Sequence, residues 1–446
     1  MIASQRFYVL ALLAIIPLAA SAWYPGLAKV GLTLDLLILF AVIIDWQLTP
    51  RANLLSAERF VDDRLSIGRD NIVKLAIHYK GAVKINALIK DDNPQTIVSD
   101  TELMAVTLEP GTTVTVEYKL SPNRRGLFKF GNINIRFASR LGLLTIERKI
   151  AYPQDIKVFS DLKALQDLSV RLSHSSELGD LRQRKRGQGT DFASLREYSV
   201  GDDSKAIDWR ATARRDRPVI RTYEAEQEQR LLILIDAGRM MVSDLEGLSR
   251  FDRALNAALC LALTGLCHKD QVGIGIFADK PLLYLPPKRG KAYMHRILEA
   301  SFAIEPRMVE PDYAGILSYF ASAQKGRSLM AVLTDLTDPT GSQALLTGLA
   351  NLAPRHLPFC ITLKDRQVQK LANTKIESGT SGNRDQAKAE LYQIYQKAVA
   401  QDLTNQRELA LSVLTRRGCL ILDAAPQELS DKLVDKYLEV KSRGKL

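Results

Sequence analysis

Two long apolar runs dominate the start of the chain. Residues 7–24 carry no charge, and a second apolar run covers residues 30–46 after a short Pro-Gly turn. Each run is close to the ~20 residues that an α-helix needs to cross the hydrocarbon core of a bilayer. Aromatic residues, which favour the head-group layer, stand at the run ends: Trp23, Tyr24 and Trp46. The pattern predicts a two-helix transmembrane hairpin over residues 1–50.

The charges that flank these runs predict the orientation of the hairpin. One arginine precedes the first run, only Lys29 lies between the runs, and three arginines follow the second run: Arg51, Arg59 and Arg64. Because basic residues are retained on the cytoplasmic side, we expect a multi-pass protein of the cell inner membrane with cytoplasmic soluble domains. An alternative is a signal peptide cleaved after residues 20–22, although a second apolar run follows at once.

The pattern of residues 51–160 is that of β-strands. Three segments alternate apolar and polar positions with period two, at least in part: 72–79, 112–118 and 132–137. Turn clusters of Asp, Asn, Pro and Gly separate them, and several short strands at this spacing predict a small β-sandwich. We see no chemistry in this region and interpret it as a spacer or docking module.

From residue 229 the pattern changes to alternating strands and helices. Continuous apolar runs, typical of strands buried on both faces of a sheet, occur at 231–235, 272–277, 329–333, 361–363 and 420–422. Helical stretches separate them, which predicts an α/β domain over 229–446 with a doubly wound, mostly parallel sheet. A helical insertion is expected near 366–416, and residues 161–228 form a charged segment before the domain.

Composition and motifs limit the chemistry. The net charge of +11 fits a protein that works near acidic partners, but it does not separate lipid, nucleic acid and protein. The four cysteines form no C-x-x-C pair, which indicates a reducing compartment. The motifs of nucleotide hydrolases, serine hydrolases and zinc enzymes are absent, and the five histidines are scattered. We therefore expect a protein that is not an enzyme and holds no cofactor.

The densest motif of the chain lies just before the predicted α/β domain. It reads GQGTDFASLREYSVGDD at 187–203, KAIDWRATAR at 205–214 and YEAE at 223–226. This segment strongly resembles the signature of domain-of-unknown-function family fifty-eight, and the run 436–441 resembles the ending of that family. The resemblance implies a von Willebrand A-like domain after the signature and no established biochemical activity. It also implies an assembly or chaperone-like role with a MoxR-type AAA+ ATPase.

The same segment is dense in charge. Residues 182–221 hold eleven Lys or Arg and six Asp or Glu, a net of +5 by subtraction. The candidate side chains of a network or interface here are Arg196, Tyr198, Asp202, Asp203, Asp208, Trp209, Arg210 and Arg214. They could form an internal ion-pair network, a protein-docking face, or a surface for nucleic acid or anionic lipid. Interleaved carboxylates suit phosphate backbones poorly, because each offsets one cation.

The resemblance also implies a Mg²⁺ site, which this sequence keeps only in part. Von Willebrand A domains hold Mg²⁺ with an Asp-x-Ser-x-Ser loop after the first strand and with a Thr and an Asp from other loops, which are hard oxygen ligands. The loop here reads DAGRM at 236–240, so Asp236 is kept while glycine and methionine replace both serines. Asp335 fits the distal aspartate, and Thr334 or Thr337 could add a hydroxyl.

Two further features argue against Mg²⁺ at this loop. Residues 311–313 offer no convincing match for the loop threonine, and Arg239 could place its own cation between Asp236 and Asp335. We interpret these two aspartates as a degenerate remnant without tight metal.

These observations predict a membrane-anchored, non-enzymatic adaptor or assembly factor that acts through protein–protein interactions, with a MoxR-type AAA+ ATPase as partner. One alternative is a binding module for anionic lipid or nucleic acid. Another is an unrecognised metal-dependent hydrolase, which would require Asp202, Asp203 and Asp208 to converge in a pocket.

The hairpin predicts where the end of the chain lies. A reporter fused after Leu446 should behave as cytoplasmic, because two spans return the chain to the side on which it started. Activity of a periplasmic reporter at that position, or a mature protein that lacks its first 22 residues, would contradict the hairpin.

Overall fold

The chain is a mixed α/β protein with several sheets, as the sequence predicts. A computed structural model describes residues 2–179, 186–199, 202, 207–215, 217–224, 229–336, 339–374 and 384–443. The chain divides into two compact units, Met1–Phe159 and Ser160–Leu446.

The first unit combines two N-terminal helices with antiparallel sheets. The helices are α1 (Gln5–Ala20) and α2 (Leu27–Leu48), and a 3-10 turn follows at Ala52–Leu54. The strands are β1 (Ile2–Ala3), β2 (Leu55–Phe60), β3 (Arg64–Ser66), β4 (Asn71–Tyr79), β5 (Ile85–Asp91), β6 (Val98–Ser99), β7 (Met104–Leu108), β8 (Thr113–Ser121), β9 (Gly126–Phe130), β10 (Ile133–Ala138), β11 (Leu144–Ile150) and β12 (Gln154–Phe159). In the described part of this unit the sheet orders are β1-β11-β10-β5-β7, β2-β4-β8-β6 and β3-β12-β9.

The helical stretch Leu27–Leu54, which includes α2, is long and apolar enough to cross a membrane. Helix α1 is apolar but shorter, and its 16 residues span about 24 Å at 1.5 Å per residue. The two helices pack closely, since a Cβ added at Gly31 would lie 2.6 Å from Cγ of Leu18.

Both helices are attached to the loop 139–143 between β10 and β11. At the start of α1, the Ser4 amide donates to the Leu143 carbonyl at 2.9 Å. At the end of α2, the buried carboxylate of Asp45 accepts hydrogen bonds from the Ser139 hydroxyl and from the Leu141 amide at 2.7 Å. The loop therefore binds both Ser4, the residue that precedes α1, and the last turn of α2, and it holds these two helix ends close together.

A buried ion pair connects the two larger sheets of this unit. The Arg59 Nε on β2 donates to Asp91 at the end of β5 over 2.9 Å, and the Tyr118 hydroxyl on β8 donates to the same carboxylate over 2.6 Å. The Arg59 guanidinium also lies 4.2 Å from the ring centroid of Phe130. Arg59 therefore does not belong to the exposed cations that flank the apolar runs, because its charge is used inside the protein.

The second unit alternates strands and helices. The helices are α3 (Leu162–Gly179), α4 (Trp209–Arg215), α5 (Arg250–Cys267), α6 (Tyr293–Ser301), α7 (Tyr313–Ser322), α8 (Pro339–Leu352), α9 (Arg366–Asn373), α10 (Arg384–Arg416) and α11 (Leu429–Ser442). The strands are β13 (Arg186–Glu197), β14 (Val219–Glu224), β15 (Arg230–Asp236), β16 (Asp244–Leu245), β17 (Leu248–Ser249), β18 (Gln271–Phe277), β19 (Pro281–Lys288), β20 (Leu329–Thr334), β21 (Leu357–Leu363) and β22 (Leu420–Ala424).

The main sheet of this unit has the order β19-β18-β15-β20-β21-β22, and its described strands run parallel except for the edge strand β19. Successive residues of β15 enter two different cores, as the strand period requires. Leu231 and Ile233 pack with α5, α6 and α11, whereas Leu232 and Leu234 pack with α7, α8 and α10. The sheet is therefore covered by helices on both faces, which explains why its strands are apolar throughout.

Helix α11 is fixed by a buried carboxylate. The Tyr437 hydroxyl donates to Asp270, and the Lys441 ammonium lies 2.7 Å from both oxygens of that carboxylate. The Gln229 amide, just before β15, donates to Asp270 at 2.9 Å. The C-terminal run 436–441 thus has a structural role, because it supplies the two side chains that tie α11 to the sheet.

Candidate functional site

Two carboxylates lie at the carboxyl edge of the main sheet. Asp236 ends β15, and Asp335 directly follows β20, the neighbouring strand. Both side chains are buried. Since a buried carboxylate is costly without hydrogen bonds or a counter-charge, the partners of these two groups determine what this edge can do.

Uncharged donors surround Asp236. The hydroxyls of Tyr313 and Thr334 each lie 2.7 Å from Oδ2, and the Gly238 amide lies 2.7 Å from Oδ1. Burial raises the pKa of Asp236, and the hydrogen bonds from Thr334 and Tyr313 oppose that rise. Burial, together with the Asp236 charge, also raises the pKa of the Tyr313 hydroxyl, so this hydroxyl keeps its proton and remains a donor.

Two arginines hold Asp335. Arg250, the first residue of α5, pairs with Oδ2, and Arg407 on α10 pairs with Oδ1 at 2.8 Å. Arg250 also lies 3.0 Å from Asp365, and Arg407 lies 2.8 Å from Asp423. Each arginine therefore bridges two carboxylates, and together they connect α5 and α10 to the carboxyl edge of the sheet.

Arg239 does not take the position that the sequence predicts. Among the described residues, Asp236 has only uncharged donors, whereas Arg239 pairs with Glu310 at 3.1 Å and is nearly half exposed. The reason is local: a 3-10 turn begins at Arg239, whose amide donates to the Val309 carbonyl at 2.9 Å. The prediction that Arg239 joins the two carboxylates is corrected, because Arg250 and Arg407 supply the cations at Asp335.

The residues at this edge do not fit Mg²⁺. Both oxygens of Asp236 already accept hydrogen bonds, and both oxygens of Asp335 pair with arginines. A serine hydroxyl is sterically excluded at 238, because a Cβ added to Gly238 would lie 2.4 Å from Cγ of Pro311. Mg²⁺ requires a near-octahedral set of available oxygens, so we derive no chemistry through a metal here.

The structure places the charged signature segment partly inside the protein. Strands β13 and β14 pair antiparallel, and Arg196 forms a half-buried ion pair with Asp202. Asp202 also accepts a hydrogen bond from the Ser199 amide at 2.8 Å, and the Tyr198 amide donates to the Pro218 carbonyl at 2.9 Å. This part acts as a structural network. Asp203 and Thr337 lie outside the described residues.

Helix α4 presents the rest of the segment to solvent. Asp208 caps the helix, because its carboxylate accepts from the amides of Arg210 at 3.0 Å and Ala211 at 3.2 Å. Asp208 thus has a capping role at the start of α4. Trp209 is 71% exposed, and the side chains of Arg210 and Arg214 are exposed beside it. Of these described carboxylates, Asp202 contacts Arg196 on β13 and Asp208 contacts the first turn of α4.

Sequence reasoning missed Tyr313, Arg250 and Arg407. Tyr313 lies where a threonine was sought, and a search for any hydroxyl in 311–313 would have found it. The two arginines carry no local signal, since Arg250 lies 85 residues and Arg407 72 residues from Asp335.

We expect a large loss of stability when Asp335 is replaced and a small loss when Asp236 is replaced. Asp335→Asn should lower the stability of the full-length protein in detergent by about 3–5 kcal/mol, because the buried Arg250 and the largely buried Arg407 lose their shared counter-charge. Asp236→Asn should have a small effect, because its hydroxyl partners can turn to accept from the amide. Thermal unfolding followed by circular dichroism measures both, with the exposed Asp402→Asn on α10 as control. Equal losses at 236 and 335 would contradict this assignment.

The pH dependence should distinguish the same two residues. The pKa of Asp236 is higher in the folded state than in the unfolded state. The protonated carboxyl therefore stabilises the fold at pH values below the unfolded-state pKa, and this stabilisation is lost as the pH rises through the folded-state pKa. Asp236→Asn should remove this part of the pH dependence, and Asp335→Asn should retain it. Melting temperatures measured across the acidic range provide the test.

Mg²⁺ should leave the melting temperature of the full-length protein unchanged at millimolar concentration, because a ligand that does not bind the native state cannot stabilise it. The same protein treated with EDTA is the control. A saturable upward shift with Mg²⁺ or Mn²⁺ that Asp236→Ala abolishes would show that the carboxyl edge does bind metal.

The chain is similar to proteins of uncharacterised function. Over 201 residues it is 21% identical to uncharacterized proteins of Mycobacterium bovis and Mycobacterium tuberculosis, which covers 44% of this chain. It spans 62% of the length of these relatives. A conserved hypothetical protein BatB from Bacteroides thetaiotaomicron aligns with 48% of this chain and 99% of its own, at 13% identity and a TM-score of 0.29. A PapD-like domain of human CEP192 aligns with 25% of this chain and 90% of its own, at 8% identity and a TM-score of 0.20.

The family comparison covers the part of the chain that contains α4, the carboxyl edge and α10. The model of the family described as Protein of unknown function DUF58 matches residues 194–418, which is half of the chain. The chain belongs to the DUF58 family.

Proposed function

We propose that this protein is a membrane-anchored, non-enzymatic adaptor or assembly factor that acts through protein–protein interactions. The observation that carries the proposal is the exposed surface of α4, where the side chains of Trp209, Arg210 and Arg214 are open to solvent within the family-matched region. Tryptophan and arginine dominate the energetics of protein interfaces, and a tryptophan that is 71% exposed leaves a large apolar surface in water.

The carboxyl edge of the sheet supports a non-enzymatic role. Asp236 is enclosed by hydroxyls and an amide, and Asp335 by two arginines. Two of the three carboxylates that a metal-dependent hydrolase would use also have structural partners, since Asp202 pairs with Arg196 and Asp208 caps α4. These described carboxylates thus stabilise the fold, which favours a function in binding a partner over a function in catalysis.

The topology of the first unit supports an anchor in the cell inner membrane. The residue before α1 and the last turn of α2 both bind the loop 139–143. A chain that crosses with both helices would therefore return to its starting side, as the flanking arginines favour. We therefore infer a multi-pass protein whose soluble part is cytoplasmic.

The main sheet supports the von Willebrand A-like assignment of the second unit. Its parallel strands, its antiparallel edge strand and its helices on both faces are those of a doubly wound α/β domain. We infer a MoxR-type AAA+ ATPase as the partner, on the basis of the signature resemblance.

A nucleic-acid or lipid surface on the signature segment is a weaker candidate. The Arg196 cation is neutralised by Asp202, and Arg217 lies 3.2 Å from Glu197. Cations that are already paired release fewer counterions on binding phosphate, so their contribution to affinity is small.

Trp209→Ala should weaken binding of the full-length protein to a MoxR-type ATPase from the same organism. A hot-spot tryptophan contributes roughly 2 kcal/mol, so we expect about a thirtyfold loss of affinity. Biolayer interferometry with the protein in nanodiscs measures it. The matched control is Leu409→Ala, which removes another exposed apolar side chain from a helix, 66% exposed on α10.

Three outcomes separate the parts of this proposal. Selective loss with Trp209→Ala supports both the partner and the α4 face. Unchanged affinity in that variant would remove the α4 face from the interface. A wild-type protein that does not bind the ATPase would overturn the partner.

A further inference from the structure

The loop 139–143 of the first unit has a fixed position relative to the two N-terminal helices. Asp45, three residues before the end of α2, accepts from the Ser139 hydroxyl and from the amides of Leu141 at 2.7 Å and Leu143 at 3.1 Å. At the start of α1, the Ser4 hydroxyl donates to the Gly142 carbonyl at 2.5 Å. The loop therefore lies beside the N-terminal end of α1 and the C-terminal end of α2.

Trp46, the residue after Asp45, indicates how deep the loop would lie relative to a membrane. Trp46 is 55% exposed, and an exposed tryptophan at the end of an apolar helix favours the head-group layer of a membrane. Because Asp45 is the residue that binds the loop, the loop lies in the same layer when α2 crosses a membrane. This step rests on the proposed membrane anchor.

Three exposed arginines surround the loop. Arg6 extends over Gly142, since a Cβ added there would lie 2.8 Å from Nη1 of Arg6. Arg140 belongs to the loop, and its amide donates to the Thr49 hydroxyl at 3.3 Å. Arg51 is exposed two residues beyond Thr49. These cations come from three separate parts of the sequence, and the fold brings them to one end of the unit.

The amides of the loop already have partners within the unit. Its amides at Leu141 and Leu143 bind Asp45, the Gly142 amide donates to the Ser139 carbonyl at 3.1 Å, and Gly142 has a φ of +77° that closes the turn. Leu141 stands at the tip with 48% of its surface exposed. A turn with internally bonded amides and an outward leucine can enter the interfacial layer at little cost.

We propose that the loop 139–143 with Arg6, Arg51 and Arg140 is a binding surface for the head groups of anionic phospholipids. The guanidinium groups would contact lipid phosphates, and Leu141 would contact the boundary of the acyl chains. Arginine suits this ligand because its planar fork donates two parallel hydrogen bonds to a phosphate. Anionic lipids are abundant in the cytoplasmic leaflet, and juxtamembrane cations are attracted to them.

The test uses the full-length protein reconstituted in phosphatidylcholine vesicles that contain phosphatidylglycerol. A bimane label on the Leu141→Cys variant reports contact with spin-labelled lipids, and wild-type protein gives the labelling background. We expect spin-labelled phosphatidylglycerol to quench the label roughly fivefold more effectively than spin-labelled phosphatidylcholine at equal mole fraction. The difference should shrink as salt is added.

Charge variants identify the surface. In Leu141→Cys protein, the triple change Arg6→Gln, Arg51→Gln and Arg140→Gln should bring the ratio of quenching by the two lipids close to one. The matched control is Lys90→Gln, Lys129→Gln and Lys149→Gln, which removes the same charge from exposed lysines. Lys90 and Lys149 flank Asn134, near the end of β10 that is remote from the loop, so the control should keep the preference.

The outcomes separate this inference from the anchor. If the protein floats with the vesicles after alkaline extraction but neither lipid, or both lipids equally, quench the label, the head-group surface is overturned and the anchor stands. If the lysine control abolishes the preference as the arginine variant does, the effect belongs to total charge and the assignment to this loop is overturned. If the protein does not float, the anchor and the surface are both overturned.

Discussion

The second unit depends on the neutralisation of Asp335 inside the protein. A carboxylate at the carboxyl edge of a parallel sheet is removed from water by the helices above it, and its charge must be compensated there. Arg250 and Arg407 do this from α5 and α10, and each then engages a second carboxylate. The pairing fixes a helix from either face of the sheet to one strand end. It also removes from the edge the oxygen ligands that a cation would need, so the same contacts that hold the fold limit its chemistry.

Buried carboxylates elsewhere in the chain are compensated by other means. Asp45 uses a serine hydroxyl and two backbone amides, and Asp236 uses two side-chain hydroxyls and one amide. Asp91 combines an arginine with the Tyr118 hydroxyl, and Asp270 combines Lys441 with the Tyr437 hydroxyl. Each of these carboxylates joins segments that are distant in sequence. Polar contacts of this kind act as specific cross-links, because an apolar core alone tolerates small shifts that a bonded carboxylate does not.

The sequence predicts the strands of the second unit well and their partners poorly. The apolar runs 231–235, 272–277 and 329–333 correspond closely to β15, β18 and β20, because a strand that is buried on both faces must be apolar along its length. The position of Asp236 and Asp335 at one edge follows from the same pattern. The cations do not follow, because proximity in sequence suggested Arg239, while the turn there directs it to Glu310. A similar limit applies to Arg59, which counts as a flanking charge in sequence but is buried in the fold.

Helix α11 has a consequence for how the protein is made. Its residues Leu433, Val434 and Tyr437 complete the core that also contains α5, and Lys441 reaches Asp270 across 171 residues of chain. While the ribosome is still synthesising the segment before α11, one apolar side of α5 has no cover, although the N-terminal helices have already left the exit tunnel. Domains tend to fold as units during synthesis, and this one cannot close until α11 emerges. Nascent chains of this protein therefore expose an unfinished core from the emergence of α5 until α11 follows, and any chaperone that protects them must act in that interval.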